Sequence, residues 1–190
     1  LRDGDRVAVF PRIASSGGEP PPRLREWPLP VIRFVADSHL GGLARLLRMA
    51  GFDTLYRNDY QDREIAGIAG REGRIALTRD RDLLKQRGIS HGCYVHALKP
   101  ARQFAEIVAR LDLARSFRPF TLCLECNAPV RAIEKQTIFR DLPPSVNVRH
   151  EHFTICDHCG RVFWEGSHWQ RMRQLLDTTM AQGGVSFDDR

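Results

Sequence analysis

A chain of 190 residues, 42% of them hydrophobic and with a formal net charge of +6, can bury one ordinary core and a small satellite module but hardly two full domains. No apolar run approaches the roughly 18 residues that a membrane-spanning helix needs, and the opening lacks a basic-then-apolar leader, so a cytoplasmic protein without a membrane partner is expected. Residues 31–122 hold 16 Lys and Arg, 14 of them arginine, against 10 Asp and Glu, while residues 123–190 hold 8 against 9. Arginine's planar fork suits phosphate oxygens, which favours a nucleic-acid partner; a solvated arginine-rich surface would give the same composition.

Residues 1–12 read as a turn followed by an alternating strand. The chain opens on Leu1 as if at the end of a larger unit, so an upstream segment is expected. Ala14 to Pro22 is rich in Ser, Gly and Pro and marks a linker, which the change of pattern extends over 13–30. From Val31 strands and helices alternate. Val31–Ala36 is a strand, and Leu40–Met49 a helix with leucines at 40, 43, 46 and 47 on one face. Asp53–Tyr56 is a strand and Glu64–Glu72 a helix with Ile65, Ile68 and Ala69 inward. Arg74–Thr78 is a third strand, Asp82–Arg87 a short helix closed by Gly88, Tyr94–Leu98 a fourth strand, and Ala101–Leu111 a helix. This alternation predicts an α/β fold, a parallel sheet with helices on both faces. Cys93 reads as a buried strand residue. Beyond Phe117 the pattern breaks into knuckle-like and extended segments, followed by a helix over Ser167–Met180.

Cys123-Leu-Glu-Cys126 and Cys156-Asp-His-Cys159 are two CxxC pairs 29 residues apart. One tight turn aims two thiolates at an ion, and two such turns complete the tetrahedral shell of structural zinc. Four protein ligands leave no place for a reactive water. Two disulfides or a redox dithiol are the alternatives.

In a parallel sheet, ligands collect beyond the carboxyl ends of the strands. Asp37 follows the first strand, Asp80 and Asp82 follow the third, and Asp62 opens the intervening helix. Clustered carboxylates repel unless a hard cation such as Mg²⁺ or Mn²⁺ lies among them, and beside arginines the matching substrate is a phosphodiester. Asp is also a favoured helix cap, so Asp37, Asp62 and Asp80 each have a structural reading, although one cap does not need the pair Asp80 and Asp82.

Phe34 to Asp53, Asp62-Arg-Glu-Ile65, and Gly73 to Leu83, followed by the two knuckles and Cys159-Gly-Arg-Val-Phe-Trp-Glu-Gly-Ser-His168, resemble the mutator-seven C-terminal ribonuclease domain family over about residues 31–180. The resemblance implies a PIN-like nuclease over 31–118, a zinc ribbon with a terminal helix over 119–182, and a tail over 183–190. It further implies Mg²⁺- or Mn²⁺-dependent hydrolysis of RNA, with Asp37, Asp62, Asp80 and Asp82 catalytic, Asp37, Asp80 and Asp82 on the metal, and Glu64 a weaker candidate. Residues 1–12 are similar to the last strand of a ubiquitin-like β-grasp domain that precedes the nuclease in many members. That domain and the ribbon are candidate surfaces for a ribosome or protein partner. Ser38, His39 and Gly42 depart from the bulkier or basic residues expected there.

Arg45 and Arg48, three apart on one helix face, and Arg79 and Arg81 beside the acids are candidates to hold the RNA backbone. Trp164 and Trp169 either stack on bases or pack around the ribbon. The alternative function is an RNA- or ribosome-binding protein with an inactive centre.

Overall fold

The computed structural model describes residues 32–182. The β-grasp remnant and linker expected over 1–30, and the tail expected over 183–190, lie outside these residues.

Four short strands, β1 (Phe34–Ala36), β2 (Thr54–Tyr56), β3 (Ile75–Thr78) and β4 (Gly92–Tyr94), form a parallel sheet in the order β2-β1-β3-β4. Phe34 registers with Thr54 on one side and with Ile75 on the other. Because both faces are covered, the central strands are apolar runs rather than alternating, up to Thr78 at the end of β3. Phe34, Ala36 and Leu77 pack on one side with Leu43 and Leu47 of α1 (Gly41–Met49) and with Phe104 and Ile107 of α4 (Pro100–Arg110). Val35 and Ala76 face the other way, onto Ile65 and Ile68 of α2 (Asp62–Glu72) and Leu83 of α3 (Arg81–Leu84).

The fourth strand corrects the expected span of Tyr94–Leu98. Pairing with β3 starts at Gly92 and ends after Tyr94, with a last bond from the Val95 amide to the Thr78 carbonyl. The amides of His96 and Ala97 turn instead to the Glu106 carboxylate, so a side chain on α4 ends the strand. Cys93 is buried within it.

The second part is a three-stranded antiparallel sheet, β5 (Arg131–Ile133), β6 (Phe153–Ile155) and β7 (Val162–Trp164), in the order β5-β6-β7. Between β5 and β6 the chain forms two short helices, α5 (Lys135–Ile138) and α6 (Pro144–Arg149), where extended segments were expected. Ile138, at the end of α5, and Leu142, in the connection to α6, pack over Phe153. The last helix, α7 (Ser167–Gln182), returns to the first part: Leu176 is fully buried in the core shared by Phe34 and Leu47, and Trp169 stacks on Phe120 at 5.0 Å. Leu124, beside the first knuckle, enters the same core. The expected boundary near residue 118 is therefore a change of architecture across a continuous apolar interior. No helix among the described residues is long and apolar enough to cross a membrane.

Candidate active site and metal centre

From β1 the chain runs through α1 to β2 on one side, and α2 then carries it back past β1 to β3, which leads on to β4 on the other side, so the connections leaving β1 and β3 diverge at their carboxyl ends. A crevice at such a switch point is where α/β sheets place ligands. Asp37 leaves β1 at this point and is only 7% exposed. One of its oxygens accepts the Ser38 amide at 2.6 Å and the Ser38 hydroxyl at 3.1 Å, and the other accepts the Thr78 hydroxyl at 2.7 Å. Thr78, fully buried at the end of β3, also accepts the Asp80 amide at 2.9 Å. A single threonine thus ties the two expected acidic positions on neighbouring strands. Thr78 is absent from the residues expected at the site; its signal in the sequence is a polar residue that ends the apolar run Ile75-Ala-Leu-Thr78 two places before Asp80.

The other acids are placed differently. Asp80 caps α3 by accepting the Asp82 amide at 2.7 Å, so its capping role is present. The Asp82 carboxylate pairs with Lys85 at 2.6 Å, and this hydrogen bond holds it below the usual carboxylate range. Asp62 is the first residue of α2, whose cap is Gln61; Glu64 closes the capping box by accepting the Gln61 amide at 2.8 Å. Since α2 begins after β2, Asp62 lies along the same carboxyl edge. Among the described residues these carboxylates do not converge as a set of three or more metal-ligand atoms; the cysteines do.

Arg79 and Arg81 are exposed beside Asp80, and the Arg81 guanidinium lies 5.4 Å above the Tyr94 ring. Arg45 is half-exposed and pairs with Glu125 at 2.7 Å. Arg48 departs from expectation. It is 3% exposed and donates to the carbonyls of Thr54 at 2.9 Å, Leu124 at 3.1 Å and Glu125 at 2.7 Å. The shared face of Arg45 and Arg48 therefore meets the first knuckle, and Arg48 has no exposed fork to offer a phosphate. His39 is exposed. Gly42, where a larger residue was expected, lies against α4: a Cβ there would come within 2.6 Å of the Pro100 ring.

The four cysteine sulfurs lie within 4.8 Å of one another, with Cys123 to Cys159 at 3.6 Å and Cys126 to Cys156 at 3.4 Å. Each knuckle closes with the same backbone bond, Asn127 amide to Cys123 carbonyl and Gly160 amide to Cys156 carbonyl. The residue after each pair has positive φ, 70° at Asn127 and 71° at Gly160, a conformation that asparagine and glycine tolerate best. Burial pushes the Cys156 thiol up, but the amides of Cys159 and His158 and the neighbouring thiols outweigh it and hold it at about 7; burial and the adjoining sulfurs push Cys126 up to about 12. Four thiols this close cannot all ionise without a cation among them, and their donor set and spacing suit one zinc ion.

A polar joint fixes this centre to the sheet. Asn127 accepts the Thr54 amide at 2.9 Å and donates to Asp53 at 2.6 Å. Asp53 also receives both prongs of the buried Arg74 guanidinium at 2.8 Å. Asn127, which the sequence showed only as the neighbour of Cys126, is thus a knuckle residue and a strand contact together.

No curated protein and no solved structure gives a significant match to the chain. The model of the Mut7-C RNAse domain matches residues 32–176, which spans both the parallel sheet and the ribbon, and the chain belongs to that family.

Proposed function

We propose that this protein is a PIN-type ribonuclease that hydrolyses RNA phosphodiesters with a divalent metal ion held at the carboxyl edge of the parallel sheet, and that its four cysteines hold one structural Zn²⁺. The observation that supports this reading best is the Thr78 hydroxyl at the switch point, which donates to the Asp37 carboxylate and accepts the Asp80 backbone amide, in a chain of an RNase-domain family.

The donor chemistry fits Mg²⁺ or Mn²⁺. Such an ion keeps several waters and needs only one or two carboxylates besides the substrate phosphate, so a full protein cage is unnecessary. Asp37, oriented by Ser38 and Thr78, and Asp80 would hold it, with Asp82 and Asp62 on the same edge completing the site or positioning water. The bound ion supplies an activated water and neutralises charge developing on the phosphodiester. Arg79 and Arg81 stand beside Asp80 to hold the RNA backbone, and Arg45 is a more distant contact, competing with its Glu125 pair.

The test is incubation of the purified protein with labelled single-stranded and structured RNA in Mg²⁺, Mn²⁺ or EDTA, with zinc content followed in parallel because chelators also attack thiolate sites. Asp37→Asn and Asp80→Asn should each lose cleavage while keeping zinc and circular dichroism. Unchanged turnover in both variants would refute the assignment. Tight RNA binding without cleavage by the wild type would make the chain a binding protein.

A further inference from the structure

A cleft of about 850 Å³ lies between the ribbon sheet, the start of α7 and Arg45 of α1. Apart from Arg45 at its edge, which is paired with Glu125, none of its lining residues enters the proposed hydrolysis. Its walls are aromatic and aliphatic, with Phe120, Phe163, Trp164, Trp169 and Met172, a size and lining typical of ligand sites. Four glutamates (125, 134, 151 and 165) line it, against Arg45 and Arg161. Arg45 is already paired with Glu125, and Lys135 with Glu151. Among the described residues Glu134 and Glu165 have no cationic partner and Arg161 no acidic one, which leaves the lining with a small acidic excess. The four cysteines adjoin the cleft through Leu124, Glu125 and Arg161, and four thiolates around one Zn²⁺ would add two negative charges there. This is an apolar cleft with an acidic rim, which disfavours a polyanion and favours an apolar segment carrying basic side chains.

We infer that this cleft docks residues 20–30 of the same chain, Pro-Pro-Pro-Arg-Leu-Arg-Glu-Trp-Pro-Leu-Pro. Two arguments select this occupant. The first is chemical: proline-rich segments dock on aromatic-lined grooves because their backbone loses little entropy on binding, and Arg23 and Arg25, which outnumber Glu26, complement the glutamate rim while Leu24, Trp27 and Leu29 offer apolar anchors. The second is positional. The described chain begins at Ile32, next to β1, and the Phe34 amide donates to the Asp53 carbonyl at 2.8 Å. Asp53 accepts from Asn127, two residues beyond Glu125 in the cleft wall. The segment therefore enters the fold beside the first knuckle, and eleven residues reach up to about 35 Å when extended.

The test compares hydrogen–deuterium exchange of the full chain with that of the triple variant Leu24→Ser, Trp27→Ser, Leu29→Ser. These positions lie outside the described core, and unchanged exchange in β1 and β3 confirms that the variant folds. The ribbon strands and the first turn of α7 should be protected in the wild type and exchange several-fold faster in the variant. A labelled synthetic peptide of residues 19–31 should bind the variant and restore protection, and Glu134→Lys with Glu165→Lys should weaken that binding about five- to tenfold. Equal exchange in both chains with no peptide binding overturns the inference. So does protection that appears only with added single-stranded RNA, or that rises with protein concentration as a second copy would require. None of these readouts depends on RNA cleavage, so failure here and failure of the proposed hydrolysis are separate results.

Discussion

Replacing Arg48 by methionine keeps the length of the side chain and removes the charged fork that joins α1, β2 and the first knuckle. Three carbonyls, of Thr54, Leu124 and Glu125, lose their donor together. A carbonyl left dry costs about 1–3 kcal/mol, and relief of the desolvated charge offsets part of the total. Burial does strain that charge: it lowers the Arg48 pKa, against the opposing pull of the Cys123, Cys126, Glu125 and Asp53 anions. The net expectation is a loss of about 3–5 kcal/mol, a large share of the stability of an ordinary domain. Arg45→Ala is the internal comparison, because it breaks only the Arg45–Glu125 pair, whose side chains are 54% and 33% exposed, and should cost about 0–1 kcal/mol. Urea unfolding of the zinc-loaded proteins measures both losses, and a colorimetric chelator follows zinc release, which should quicken in Arg48→Met because the knuckle backbone is no longer held. Equal losses in the two variants, or less than about 1 kcal/mol for Arg48→Met, would refute the buried-joint account and return Arg48 to the surface.

Two further changes probe the same joint and its surroundings. Burial by itself would raise the Asp53 carboxyl, yet hydrogen bonds from Arg74 and Asn127 prevail and hold it below the usual range. Its stabilising effect is then complete above the ordinary Asp value of about 3.9 and disappears as pH falls towards the lower folded value. Asp53→Asn should lower Tm at neutral pH and flatten its decline below about pH 4; matching acid limbs for the two proteins would count against the pair. Gly51 has φ of 92°, and a Cβ there would collide with the Arg118 carbonyl, so Gly51→Ala should cost about 2–4 kcal/mol in urea unfolding, and a loss under about 1 kcal/mol would show that the loop gives way.

The α/β half was legible because its signals are local. The leucine spacing of Leu43 and Leu47 gave the buried face of α1, and apolar runs such as Phe34-Val-Ala36 gave strands covered on both sides. The acids at the strand ends were legible for the same reason, since chain order alone puts Asp37 and Asp80 there. What failed was whatever depends on distant partners. The end of β4 is decided by Glu106, ten residues beyond His96. The helices α5 and α6 are six residues or fewer, too short to show a period, and they owe their place to packing on Phe153. Arg45 and Arg48 are alike in sequence, and only the arrival of a knuckle some 77 positions later in the chain separates them.

That separation changes what arginine content means here. Composition counts Arg48 and Arg74 in the basic surplus, but both are buried, Arg48 donating to backbone carbonyls and Arg74 pairing with the Asp53 carboxylate. Arg74 lies before β3 and Asp53 before β2, at the amino ends of the strands, whereas Asp37 and Asp80 lie at the carboxyl ends. The fold therefore spends these two arginines on the edge that anchors the ribbon and leaves Arg79 and Arg81 exposed on the edge that carries the acids. Under the proposed function, a phosphate chain at the second edge would meet cations with no ion-pair partner among the described residues, while at the first it would meet cations already bonded. Charge alone does not separate the two edges, but hydrogen-bond commitment does, and RNA affinity should follow Arg79 and Arg81 rather than the total arginine count.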